Sequence, residues 1–163
     1  MKLRTIMILI ATLFLSGCTL KSGFFAEDLR YQSALSHSKK GEIYNSFEMK
    51  ASIVATYLNS TTVECDRDNA EVFLIAIYID EDTSDESKQS LMNKSFLLTL
   101  GGKKPSSIRS LAYNDDMIQI APFRNRWSDY YLVKFDKQEA QELEMNYTHK
   151  NYGRVILSFV KDY

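Results

Sequence analysis

Cysteine is scarce in this chain. Cys18 and Cys65 are the only two in 163 residues. Histidine is equally sparse, and neither His37 nor His149 has the spacing of a metal site. Nothing in the sequence brings an Asp or Ser near either one, so a hydrolase triad is not indicated. His37 lies in a polar N-terminal stretch and His149 in a polar turn, and both read as solvated. There is no excess of positive charge. Lys and Arg number 20 against 21 Asp and Glu, and no basic stripe with interleaved aromatics is present. A nucleic-acid partner is therefore not expected. No internal repeat, low-complexity tract or cofactor-binding constellation appears. No apolar run is long enough to span a bilayer, which takes about 20 residues.

What is present is aromatic and β-prone. Ten Tyr, nine Phe and one Trp suit sheets better than helical bundles. The length suggests one domain, large enough to hold a core without disulfides or metal.

The N-terminus has its own organisation. Lys2 and Arg4 form a short positive region, followed by a mostly apolar run from Thr5 to Leu15. That run fits the hydrophobic part of a signal peptide. It ends in Leu15-Ser16-Gly17-Cys18. The three parts in this order resemble the lipobox signal of bacterial lipoproteins. The alternative is an ordinary signal peptide with a chance cysteine. The resemblance implies cleavage before Cys18, a diacylglyceryl thioether on its sulfur and acylation of the freed amine. One acyl chain binds a membrane only marginally, so stable anchoring takes several. The expected partner of this end is thus a membrane, held through N-terminal acyl chains. Thr19, rather than Asp, follows the cysteine. In the enterobacterial pattern this is an outer-membrane address. Loss of residues 1–17 leaves 18 basic and 21 acidic residues, a net charge of −3.

With Cys18 lipidated, Cys65 has no partner within the chain. It reads as a buried small hydrophobe or as a thiol that pairs with another molecule. Its neighbours Glu64, Asp66 and Asp68 disfavour the thiolate.

Residues 18–44 read as a lipidated tether and N-terminal arm, with Phe24 to Ser36 either a helix or an extended docking segment. Ser36 to Gly41 is polar and breaks the pattern. From Phe47 the period becomes two: Phe47, Met49, Ala51, Ile53, Ala55 and Tyr57 alternate with polar residues, as in a half-buried strand. Val72 to Ile79 is continuously apolar and short, which predicts a strand buried on both faces. Further strands are expected at 95–100, 108–113, 130–135, 142–147 and 153–160. Gly101-Gly102 marks a turn, and Pro105 and Pro122 lie outside the strong strands. About seven strands without alternating helices predict an antiparallel β-sandwich over residues 45–163.

Three segments carry a resemblance. Phe96 to Pro105, Trp127 with Tyr130 to Phe135, and Val155 to Lys161 look like small lipoproteins of Campylobacter and its relatives. That family implies an immunoglobulin-like sandwich and an envelope location. It supplies no enzymatic chemistry, and the Cys…Trp…Cys pattern of antibody domains is missing.

Two surface segments are candidates for function. The acidic stretch Asp80 to Glu86 offers oxygen ligands for calcium but lacks EF-hand spacing and glycine, so a solvated loop is the plainer reading. The loop from Ala121 to Asp129 carries Arg124, Arg126 and Trp127, followed by Tyr130. Trp and Arg are enriched at binding hot spots. These four residues form a candidate patch for a protein, glycan or lipid headgroup. The alternative has Trp127 plugging the core. Lys103 and Lys104 are candidates to share an end of the sandwich with Arg124 and Arg126.

The sequence therefore predicts a non-enzymatic, lipid-anchored binding module of the outer membrane, serving adhesion or assembly of an envelope complex. Its partner is an unidentified protein or glycan, and no metal or cofactor is called for. The rival is an extracytoplasmic hydrolase whose carboxylates come together only in the fold.

Overall fold

A computed structural model describes residues 29–80 and 89–162. The signal segment, Cys18 and most of the acidic 80–86 stretch lie outside them.

Helix α1 (Leu29–Ser36) is followed by eight strands: β1 (Ser38–Asn45), β2 (Glu48–Tyr57), β3 (Ala70–Ile79), β4 (Phe96–Leu100), β5 (Ser107–Leu111), β6 (Asp129–Asp136), β7 (Glu142–His149) and β8 (Gly153–Val160). A short helix α2 (Asp116–Gln119) lies between β5 and β6. All pairings are antiparallel, in a five-stranded sheet ordered β1-β2-β3-β6-β5 and a three-stranded sheet ordered β4-β7-β8. The two sheets pack as a sandwich. The order of β2 to β8 is that of a seven-stranded immunoglobulin constant-type domain, and β1 adds an eighth strand at one edge.

The expected pattern explains the inner core. Ala51, Ile53 and Ala55 of β2 face Leu143, Met145 and Leu157 of the other sheet's strands in one apolar cluster. Phe73 sits at its aromatic centre, 5.0 Å from the Tyr57 ring and 5.2 Å from that of Phe159. β3 is buried on both faces, as its continuous apolar run predicts. Its inner side chains join this core. Its outer ones, Val72 and Leu74, pack under α1 and the loops around 58–69 and 112–123 in a second apolar cluster. The Gly101-Gly102 turn has positive φ at both glycines (55° and 80°). It closes with paired backbone bonds between Leu100 and Lys103, the geometry a tight primed turn requires.

Three expectations are corrected. Ser36 to Gly41 is not a break: Ser38 to Gly41 is the first half of β1, so the sheet begins inside the segment read as an arm. The polar run Ser-Lys-Lys hides this strand because it is half of an edge. Phe47 is not in a strand. It is fully exposed in the β1–β2 turn beside Ser46, whose φ is 57°. His149 is not solvated but buried. Its ring stacks on Tyr152 at 4.1 Å, and Nδ1 accepts from the Asn151 and Tyr152 amides. His37 is only partly exposed, with Nε2 2.6 Å from the Asp162 carboxylate.

β1 also closes one side of the sandwich by approaching β8. Gly41 permits this. A Cβ there would stand 2.3 Å from Val155 Cγ2, well inside contact distance.

Candidate functional site

The outer face of the five-stranded sheet is only partly covered. Two cross-strand rows define the uncovered part. Lys40 pairs with Val54, and Val54 with Ala76; Glu42 pairs with Ser52, and Ser52 with Tyr78. The small side chains of Ser52, Val54 and Ala76 leave a concave floor. Lys40 and Glu42 form one wall, and Phe123, Asn125, Trp127 and Ser128 form the other. The groove encloses about 570 Å³, within the roughly 300–1,000 Å³ of ligand pockets.

The aromatic wall is held from below. The Tyr130 hydroxyl accepts from the Asn125 amide at 2.9 Å and donates to the Asn125 carbonyl at 3.0 Å. Asn125 Oδ1 in turn accepts from the Trp127 amide at 2.9 Å. On this frame Trp127 is 75% exposed and Phe123 61% exposed. Phe123 has φ of 57°, a left-handed conformation uncommon for an aromatic residue.

The opposite wall is polar and paired. Lys40 Nζ lies 2.6 Å from Glu42 Oε1, and the Tyr44 hydroxyl donates to Glu42 Oε2 at 2.6 Å. The hydrogen bond from Lys40, helped by that from Tyr44, holds the Glu42 carboxyl below its ordinary range. The wall thus carries a donor and an acceptor whose charges cancel.

The four candidate residues do not form one patch. Trp127 lies in the groove and does not plug the core. Tyr130 is 2% exposed and acts chiefly as the loop's anchor. Arg124 turns towards α2, where Nη1 donates to Gln119 Oε1 at 2.6 Å and the guanidinium lies 5.5 Å from the Tyr113 ring centre. Arg126 lines a neighbouring cavity of about 300 Å³ with Tyr113, Asp129 and Tyr130, so of the four candidates only Arg126 and Tyr130 share a hollow. Lys103 and Lys104 are at the other end of the sandwich: they precede β5, whose first residue Ser107 pairs with Lys134, whereas the 121–128 loop feeds the opposite end of β6.

Phe123, Lys40 and Glu42 are groove residues that the sequence pattern did not single out. The signal available was the alternation Lys40, Glu42, Tyr44 around Gly41 and Ile43, which marks a strand with one polar face.

Cys65 is half-buried against the outer apolar cluster, with Sγ 3.9 Å from Asn59 Oδ1. Burial pushes its thiol up against the opposing Arg67 charge, with Asp66 adding a smaller push the same way. The thiolate is disfavoured. Among the described residues no cluster of three or more His, Cys, Asp or Glu is arranged to hold a metal ion. None of the described helices is long and apolar enough to cross a membrane.

Comparison with protein-family models, with curated proteins and with solved structures finds no match for this chain. The fold alone places it among antiparallel β-sandwich proteins.

Proposed function

We propose that this protein is a lipid-anchored, non-enzymatic binding module of the outer membrane, and that the groove beside Trp127 is its partner site. One observation carries the binding reading. A large apolar side chain stands three-quarters exposed on a loop that a buried tyrosine locks in place. A preorganised aromatic loses little freedom on binding. Anchoring rests on the Leu15-Ser16-Gly17-Cys18 sequence and the charged and apolar residues before it. A general acid works best with its pKa raised towards the working pH. Glu42, Glu48, Asp66 and Glu71, by contrast, are all held below their ordinary range. None of these four carboxyls is therefore poised as a general acid.

The test places a photoreactive residue at Phe123 in cells, with the same residue at Ile156 on the outer face of the three-stranded sheet as control. Adducts from position 123 alone are expected. Adducts from neither position, or equally from both, overturn the reading. Anchoring is tested separately: Cys18→Ala should release the protein from washed membranes, and retention overturns it.

A further inference from the structure

We infer that the groove binds an uncharged oligosaccharide, with a pyranose ring stacked on Trp127 and its hydroxyls held by Lys40 and Glu42. This deepens the binding reading above and rests on it.

The argument is one of matching surfaces. A pyranose presents carbon-bound hydrogens on its faces and hydroxyls around its rim. The groove presents the complementary arrangement. Phe123 and Trp127 bring aromatic rings to one side, and the negative π-cloud of such a ring attracts weakly positive C–H groups. Across the floor, Lys40 donates and Glu42 accepts, 2.6 Å apart. Two adjacent hydroxyls, each both donor and acceptor, can exchange bonds with such a pair. The pair is only partly buried, with side-chain exposures of 50% for Lys40 and 28% for Glu42, so both heads are available to a ligand.

Other occupants fit less well. An anionic ligand meets the Glu42 carboxylate, and a cationic one meets the Lys40 ammonium. A bilayer surface cannot enter a concave site, and inserting there would bury an ion pair in lipid. A partner helix needs a continuous apolar stripe, which the Lys40–Glu42 wall interrupts. Ser52 on the floor supplies a further hydroxyl, and the small side chains of Val54 and Ala76 leave room above the floor for a sugar ring.

The chain contains one tryptophan, and it is in the groove. Its fluorescence therefore reports on this loop, and the Lys40 variant below ties the signal to the groove rather than to the smaller hollow that Trp127 borders with Asp80 and Gln89. The experiment uses the full chain in a detergent without sugar headgroups. It is titrated with neutral tetrasaccharides of glucose, galactose, mannose and N-acetylglucosamine, and separately with phosphatidylethanolamine vesicles. At least one saccharide is expected to give a saturable blue shift and to shield Trp127 from acrylamide. By calorimetry, Trp127→Ala should weaken that saccharide about tenfold or more. Lys40→Met should weaken it severalfold at unchanged melting temperature.

Silence with every saccharide up to roughly 10 mM, where even a millimolar site fills, overturns the inference. So does a shift produced by vesicles alone, or saccharide binding unaffected by both substitutions. If the saccharides are silent while photoreactive Phe123 still yields adducts, the glycan inference falls and the binding module stands. If both are silent, both fall.

Discussion

Glu71, near the start of β3, and Lys161, just past the end of β8, meet inside the protein at 2.7 Å although 90 residues of chain separate them. Glu71 is fully buried, and it also accepts from the Tyr57 hydroxyl at 2.6 Å and the Gln138 amide at 3.0 Å. Lys161 donates to the Gln138 carbonyl as well. Burial alone raises the Glu71 carboxyl. The bonds from Lys161, Tyr57 and Gln138 together outweigh it and leave the group below its ordinary range.

This pair makes stability depend on pH with a definite sign. A carboxyl held below its ordinary value of about 4.5 stabilises the fold fully above that value. The contribution is lost as pH falls through the lowered folded value. Urea unfolding from neutral to acid pH should show that loss, and Glu71→Gln should make it shallower. An unchanged slope in the variant would mean that other carboxyls account for the acid sensitivity.

Removing the cation instead leaves a buried carboxylate short of its main partner. Lys161→Met should cost about 3 kcal/mol at neutral pH. Denaturant melts at fixed pH measure it, and a cost below about 0.5 kcal/mol, typical of surface changes, would show that the remaining partners Tyr57, Gln138, Asn59 and Lys137 suffice.

The approach of β1 to β8 predicts a steric effect. Gly41→Ala drives a methyl into Val155, a stiff β-branched neighbour. A loss of about 1–3 kcal/mol is expected. Val155→Ala in the same chain should restore part of it. A strictly additive double variant would show that the two strands do not constrain each other.

Tyr130→Phe removes one hydroxyl and two loop bonds. The expected cost is about 1–2 kcal/mol, accompanied by lower fluorescence anisotropy of Trp127. Unchanged anisotropy would show that the Asn125 side chain alone holds the loop.

Trp127→Ala separates the exposed indole from a core plug. Being three-quarters exposed, it should change stability by no more than about 0.5 kcal/mol. A Trp filling a core would cost about 3–5 kcal/mol.

The sandwich was legible where side-chain period and burial agree. β2 and β8 alternate because each has one face on the core, and β3 runs apolar because loops cover its second face. β1 was hidden because its outward residues are charged and one inward position is Gly41, selected for closeness to Val155 rather than for hydrophobicity. The groove was half legible. Trp127 and its loop stood out by composition. The role of Tyr130 did not, because a tyrosine that anchors a loop and one that contacts a ligand are identical in sequence. Lys40 and Glu42 acquire meaning only when register sets them across from that loop.

The position of Glu71 has a consequence for how the chain must be made. The run from Val72 to Ile79 is the kind of apolar, β-prone segment that pairs with other copies when left uncovered. Glu71 and Asp80 flank it like gatekeepers, charges that discourage such pairing. In the finished fold Glu71 is neutralised by Lys161, which lies beyond β8 and far along the chain from it. The guard is therefore relieved only after β8 has been made, and a nascent chain that still lacks this strand cannot close over its stickiest segment.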